Sequence, residues 1–328
     1  MRRREFIWLI GSAVAASPFV ARAQPKKMHR LAFVHSGIPA DKLTESGGPF
    51  WVRRVYQSLR ELGDVEGQNL VVERFSAEGR SERFAPLAEE VVSRNPDVII
   101  VNFNDLAKRF TIATSRIPLV VITGDPIAAG LLTNLAHPGG NLTGVSINAG
   151  LEIYGKRLQI IKEAIPKVGK VAALFSGALS GMAEYREAAG HLGIELSSKV
   201  LAEVNDAQLR RTFAEIAEQG FDAAIVDEGG SFLAQRSLIA SLGEKYRLLV
   251  LYPYRDYVEE GGPMAYGPDL GELAQRIASD VHQILNGSKA GDIPFYLPNK
   301  FQLIINGRSA KAHDLPPTLL ARADEVIE

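Results

Sequence analysis

The sequence contains no cysteine. That absence excludes disulfides, thiolate metal sites and a lipid-bearing cysteine behind a processed N-terminus. It is also an easy composition for a chain exported to an oxidising compartment. Excess positive charge is missing too, with 37 Lys and Arg against 38 Asp and Glu. Nucleic-acid binding rests on clustered cations, so no nucleic-acid partner is expected. No Gly-x-Ser-x-Gly nucleophile elbow occurs. None of the six histidines pairs with another at metal-site spacing on one helix face, so neither a metal nor a cofactor is expected.

What is present begins with an export signal at 1–23. Arg2, Arg3 and Arg4 form a basic head, 6–16 is a nearly uncharged apolar run, and Ala21-Arg22-Ala23 ends in the small-x-small pattern of a signal-peptidase site. Arg3-Arg4-Glu5-Phe6-Ile7 fits the twin-arginine form, and a general signal with an arginine-rich head is the alternative. A retained anchor fits less well, because the run is shorter than the ~20 residues that span a bilayer and Pro18 interrupts its end. Cleavage after 23 takes away four arginines and one glutamate and leaves a mature charge of −4. At that length two domains are the default.

Short β-branched runs then alternate with amphipathic stretches. Strands are expected at 31–35, 70–75, 98–102 and 119–123, with helices at 50–62, 82–94 and 106–115 between them. The alternation restarts with helices at 152–165, 182–192, 206–219 and 232–246 and strands at 171–176, 195–200, 223–227 and 248–252. Such a pattern implies α/β architecture, here two doubly wound parallel-sheet lobes. The turn-rich His137-Pro138-Gly139-Gly140-Asn141 is the first candidate hinge, and Gly261-Gly262-Pro263 is a second break. A helix at 270–285 and a strand at 301–306 are too few to bury a core of their own, so they are expected to return to the lobes. The expected division is 28–147 with about 266–290 in the first lobe, and 148–265 with about 291–328 in the second. A shared cleft lies where the carboxyl ends of both sheets face each other.

Two local motifs fail on inspection. Gly150 to Arg157 approaches a phosphate-binding loop but has Arg157 where Ser or Thr must hold magnesium, and reads as a helix start with Lys156 and Arg157 exposed. Asn141-Leu142-Thr143 matches a glycosylation acceptor but is explained by turn chemistry.

The loops after the strands carry the candidate ligand contacts. They are His35 and Ser36, then Asn102, Phe103 and Asn104, then Thr123 and Asp125 in the first half. In the second half they are Ser176, Asp227, Tyr252, Arg255 and Tyr266. Polar side chains beside glycine amides suit a small polar solute, and aromatic ones, Phe232 and Tyr254 included, would cover its apolar part. For any one polar residue the competing role is a helix cap. Arg255 is the candidate carboxylate clamp, against a surface ion pair with Asp256 or Glu259. Asp125 or Asp227 is the candidate partner for an amino group.

An ordered series of segments spans nearly the whole chain: Arg2-Arg3-Arg4-Glu5-Phe6-Ile7, Val65-Glu66-Gly67-Gln68-Asn69, Gly124-Asp125-Pro126, the run 137–145, Tyr266-Gly267-Pro268, Asn299-Lys300-Phe301 and the tail 316–328. The series resembles the tryptophan/tyrosine-type ABC transporter substrate-binding proteins. The resemblance implies a type I periplasmic-binding-protein fold, a periplasmic location, and permease and ATPase partners encoded elsewhere. It also implies an aromatic amino acid as ligand, with Asp125, Arg255 and Tyr266 at family-like positions. Two loops depart from the family pattern, Asn102-Phe103-Asn104-Asp105 and Ser176-Gly177-Ala178-Leu179-Ser180, where Thr/Pro/Ala-type and Asn/Pro-rich loops are usual. The expected ligand is therefore the wider class of small, partly apolar carboxylates, amino acid or aromatic acid. A ligand-sensing regulator of the same fold would need a helix-turn-helix where the export signal stands. An exported α/β enzyme would need a catalytic constellation, and none is visible.

Overall fold

The computed structural model describes residues 28–147, 150–176 and 181–328. The export signal and positions 177–180 of the departing loop lie outside the described residues.

The first lobe is built on β1 (His29–His35), β2 (Leu70–Ser76), β3 (Val98–Asn102), β4 (Leu119–Thr123) and β5 (Leu142–Ser146). All are parallel, in the order β2-β1-β3-β4-β5. Helices α1 (Phe50–Glu61), α2 (Phe84–Ser93) and α3 (Asn104–Ala113) cover its faces. The central strands are buried on both sides, as in Ile99, Ile100 and Val101, which is why they read as unbroken apolar runs rather than alternating ones. Helix α1 buries Trp51, Val52, Val55, Tyr56 and Leu59, a single stripe at helical spacing.

The second lobe repeats the scheme with α4 (Glu152–Ala164), β6 (Lys170–Phe175), α5 (Met182–Leu192), β7 (Glu195–Val200), α6 (Asp206–Glu218) and β8 (Ala223–Val226). It continues through α7 (Gly230–Ala234), α8 (Arg236–Lys245), β9 (Leu249–Tyr252), α9 (Arg255–Glu259) and β10 (Met264–Pro268). After α10 (Leu270–Leu285) the chain forms β11 (Phe301–Asn306), α11 (Gly307–Ala312), α12 (Pro317–Leu320) and β12 (Glu325–Ile327). The sheet order is β12-β11-β10-β9-β8-β6-β7, parallel except for the β10–β11 pair. Strands β7-β6-β8-β9-β10 thus repeat the order β2-β1-β3-β4-β5 of the first lobe.

Three strands went unread in the sequence, β5, β10 and β12, and the first two bear on the hinge. His137 to Asn141 is not the junction, because β5 follows it and pairs with β4 from Leu142 to Ser146. Gly144 in β5 has φ +146, and a Cβ there would lie 2.0 Å from the Val121 carbonyl oxygen, so the ladder needs glycine at a position that reads as a break. Asn141 Nδ2, the atom that an Asn-Leu-Thr acceptor would use, donates instead to the Thr114 (3.1 Å) and Ile117 (2.7 Å) carbonyls, in keeping with a turn role. Likewise β10 directly follows the Gly261-Gly262-Pro263 break and was not read as a strand, and it places Tyr266 in the second sheet rather than at the start of a return.

The chain crosses between sheets after Ser146, again at Asp269, and a third time between Tyr296 and Phe301. Asp269 starts α10 by accepting from the amides of Gly271 (2.9 Å) and Glu272 (3.1 Å). Its own N–H donates to the Lys300 carbonyl at 3.0 Å, which ties the second and third crossings together. Helix α10 then packs along α1 and β5 of the first lobe, burying Leu270, Leu273, Ala274, Ile277, Ala278 and Val281. Each such Leu or Ile contributes roughly 1.5–3 kcal/mol. Tyr296 adds to the edge of the first sheet, donating its N–H to the Gly144 carbonyl and accepting from Ser146 N–H, both at 2.8 Å.

Candidate ligand-binding site

In a parallel sheet, loops on either side of the strand where the order reverses diverge and leave a crevice at the carboxyl ends. The reversal in the first sheet lies between β1 and β3, which end in His35 and Asn102. In the second it lies between β6 and β8, which are followed by Ser176 and Asp227. All four residues line one cavity of about 800 Å³ between the lobes. The lobes come close beside it, since a Cβ at Gly230 would lie 3.9 Å from Ser36 Oγ.

The first corner is built on His35. Its Nδ1 accepts from the backbone N–H of Gly37 (2.9 Å) and Ile38 (2.8 Å). Asn102 Oδ1 accepts from the Ser36 N–H at 2.7 Å, and Asn102 Nδ2 stands 3.0 Å from His35 Nε2. Burial pushes the His35 pKa down to about 3, so the ring is neutral at any working pH. Beyond Asn102, Phe103 adopts φ +75, a conformation rare for a bulky side chain, and its ring remains 46% exposed as it lines the cavity. Asn104 Oδ1 accepts from the Gly124 N–H at 3.1 Å and from the Thr123 hydroxyl, fixing the β4 loop. Asp125 lines the cavity as well, but one of its oxygens accepts from the amides of Ile127 and Ala128, both at 2.9 Å. It acts there as the turn cap that the sequence allowed as its alternative role.

The second corner is acidic. Asp227 accepts from Ser176 N–H (2.9 Å) and Gly229 N–H (2.8 Å). Burial raises its pKa to about 6, and those amides oppose the rise. A Cβ at Gly229 would meet Ser176 Oγ at 1.9 Å, so a larger residue there would push the Ser176 hydroxyl out of its place beside Asp227. Glu228 lines the cavity and pairs with Arg157. Arg157 is not an exposed helix-start residue but completely buried. Its Nε donates to the Tyr266 carbonyl at 3.1 Å, and its Nη1 faces Glu228 and the Tyr185 hydroxyl. Burial works against its charge, but Glu228 and Tyr185 outweigh that and hold its pKa above the ordinary value. Tyr154, stacked at a tilt on Tyr185 at 4.8 Å, carries the aromatic wall into the cavity.

Four expected contacts lie elsewhere. Ser36 contributes its amide to Asn102 and does not line the cavity. Tyr252 is fully buried and stacks on Tyr257 at 4.7 Å and 8°, a core pair. Tyr266 offers its carbonyl to Arg157 while its ring packs 6.3 Å from Phe301. Arg255 is no clamp within this cavity. It donates Nη2 to Glu325 at 2.8 Å and Nε to Glu259 at 2.9 Å, and lies 4.8 Å over the Phe50 ring. Phe232 is core as well, whereas Tyr254 does line the cavity. Sequence reading missed Trp51, Tyr154 and the Leu270–Ile277 face of α10. Their spacing is that of ordinary buried helix faces, so only the tertiary arrangement marks them as wall.

Two α/β lobes joined by three crossings, with polar corners and aromatic walls enclosing a cavity of solute size, define a binding protein that holds a small molecule between its halves. Residues 51–327 match the family model of ABC transporter substrate binding proteins, and the chain belongs to that family. A tyrosine-binding protein of Clostridioides difficile (strain R20291) is 22% identical over 267 residues, covering 79% of this chain and 75% of that protein. Among solved structures, a conserved domain protein of Vibrio cholerae matches with a TM-score of 0.78 at 24% identity, covering 92% of this chain and 100% of the other. The ABC domain of Streptococcus pneumonia in complex with L-Trp matches with a TM-score of 0.76 at 20% identity, again over 92% and 100%. At such identities the structures establish the fold, the type I periplasmic-binding arrangement. Among the described residues no helix is long and apolar enough to cross a membrane.

Proposed function

We propose that this chain captures a small, partly apolar carboxylate, an amino acid or an aromatic acid, and delivers it to the permease and ATPase of an uptake transporter. The observation that carries the reading is the pairing of two polar corners across an aromatic-walled cavity of about 800 Å³. A zwitterion with an apolar side chain offers a charge of each sign to such corners and a face to Phe103, Trp51 and Tyr154. The tyrosine-binding and L-Trp-bound relatives support the same class. Residues 1–23 are the export signal of this reading, cleaved before Gln24, and they put the protein in the periplasm. Binding and release, without bond-making, are its whole activity.

Thermal-shift screening against amino acids and aromatic acids tests the ligand class. A ligand at a hundred times its Kd adds about 2.7 kcal/mol to the native state, a shift easily read. Closure around it should also reduce the radius of gyration. No stabilisation by any member of either class, or sustained turnover of a small metabolite, would refute the reading. N-terminal sequencing of osmotic-shock protein checks the cleavage, and lysine at Arg3 and Arg4 separates the twin-arginine route from the general one.

A further inference from the structure

The His35–Asn102 corner has more N–H groups than it has acceptors. The amides of Gly37 and Ile38 occupy the lone pair of His35 Nδ1, so in the neutral ring the hydrogen is on Nε2. The Ser36 N–H occupies Asn102 Oδ1, which turns the Asn102 NH2 toward that same Nε2 at 3.0 Å. Flipping the amide does not help, because the NH2 would then face the Ser36 N–H at the 2.7 Å now spanned by a bond. Moving the ring hydrogen to Nδ1 would set it against two backbone donors. Every assignment leaves a donor facing a donor, on side chains that line the cavity, and His35 is only 2% exposed. Buried donors without acceptors are costly, and an oxygen lodged against both would satisfy them together.

The neighbours share this polarity. Helix α3 begins at Asn104 beside the corner with no side-chain cap, so its N-terminal dipole faces the same space. The acids nearby are occupied: Asp105 lies 3.8 Å from Lys108, and Asp125 accepts from two amides. The acidic groups of the opposite lobe are Glu228, which shares one oxygen with Arg157, and Asp227, which accepts from two amides, so the negative side of the cavity faces the donor corner. Burial holds His35 neutral, so the corner donates at any working pH.

We infer that His35 Nε2 and Asn102 Nδ2 form the carboxylate anchor of the site, jointly donating to one ligand oxygen and orienting the ligand with its carboxylate on the first lobe and any amino group toward Glu228. The inference deepens the proposed function and rests on it for the ligand class, but the anchor can be tested without knowing the ligand.

Acetate, the carboxylate alone, is the probe. In the wild-type protein the His35 Nε2–H signal, followed by nitrogen–proton correlation spectra, should move saturably with acetate and far less with acetamide. A signal that ignores acetate, or follows acetamide equally, overturns the anchor. Asn102→Asp supplies the missing acceptor from within. It should keep or raise the ligand-free melting temperature, abolish the acetate response, and weaken L-tryptophan or L-tyrosine binding at least about thirtyfold. Retention of that affinity within about threefold overturns the anchor while leaving the ligand class standing. An acetate response without binding of any amino acid or aromatic acid does the reverse. The wild-type titration needs no variant, so a misfolded Asn102→Asp protein would not shield the inference.

Discussion

The backbone N–H of Phe50 donates to Asp256 Oδ1 at 2.7 Å, and the two residues belong to different lobes. Helix α1 follows Pro49, which offers no capping side chain, so its first turn is satisfied by a carboxylate 206 positions later. Arg53 reaches Glu259 at 3.2 Å, and the Arg255 guanidinium lies over the Phe50 ring. Helix α9 of the second lobe is thereby fastened to the start of α1 in the first. The next residue, Trp51, lines the ligand cavity.

Asp256→Ala should therefore cost about 0.5–2 kcal/mol, as loss of a helix cap does. It should also enlarge the ligand-free radius of gyration by freeing the lobes. Asp256→Asn keeps the acceptor. Burial raises the Asp256 pKa, so removing the charge carries a compensating gain and this variant should hold the wild-type melting temperature. Thermal denaturation and small-angle scattering check both, and an alanine variant matching wild type in both would show that the contact is incidental.

Phe103 combines strain with exposure. A non-glycine residue in such a conformation costs on the order of 1–3 kcal/mol, and glycine there costs only about 0.5–1 kcal/mol in chain entropy. Phe103→Gly should hold or raise the urea midpoint while weakening affinity for whichever solute the screen selects. A variant that loses stability but keeps affinity would assign Phe103 to packing rather than to the ligand.

Asp280 sets a pH dependence. It is fully buried on α10, and among the described residues neither carboxylate oxygen has a hydrogen bond. Arg276 Nε lies 3.1 Å away but out of line for one. Burial raises the Asp280 pKa to about 7 from an ordinary 3.8, and Arg276 opposes this only in part. The folded state thus holds a proton that the unfolded state releases, so this group's contribution is full below pH 4 and is lost as pH rises to 7. Each unit of separation is worth about 1.4 kcal/mol. Asp280→Asn should flatten the stability profile between pH 4 and 7, and stabilise the protein at neutral pH. An unchanged slope in urea denaturation across that window would remove Asp280 as its cause.

The alternation of strands and helices was legible because parallel strands buried on both faces, such as 98–102 and 119–123, leave unbroken apolar runs. Strands β5 and β10 were not, since each is short, directly follows a turn-rich break and carries a glycine, Gly144 or Gly267, that a neighbouring backbone dictates. That reading put the first candidate hinge at 137–141, although the lobe boundary was set at 147, and it placed Tyr266 outside its sheet. The corners were legible for a topological reason, as His35, Asn102, Ser176 and Asp227 all follow strands that flank a reversal of order. Arg255 misled because charge, exposure and loop position are the same for a clamp and for an ion pair. Its partner Glu325 sits 70 positions away, beyond any local pattern.

Arg157 was misread for the same cause, and its pairing with Glu228 gives the sharpest test. A buried arginine is tolerable only while its partner and hydrogen bonds are in place, and removing one member of such a pair costs about 3–5 kcal/mol. Arg157→Met strands Glu228 beside the cavity, and Glu228→Gln leaves Arg157 charged, with Nη2 already without a partner among the described residues. The double variant removes both charges at once. Its loss of stability should fall well short of the sum of the single losses, with a coupling above about 1 kcal/mol, whereas independent sites add within about 0.5 kcal/mol. Arg157 also holds the Tyr266 carbonyl in β10, three residues before the crossing at Asp269. The pair therefore links the acidic wall to a hinge strand. Arg157→Met should reduce the ligand-induced fall in radius of gyration even at saturating ligand, while the double variant restores part of it. Additive stabilities together with unaltered compaction would reduce the pair to a local contact.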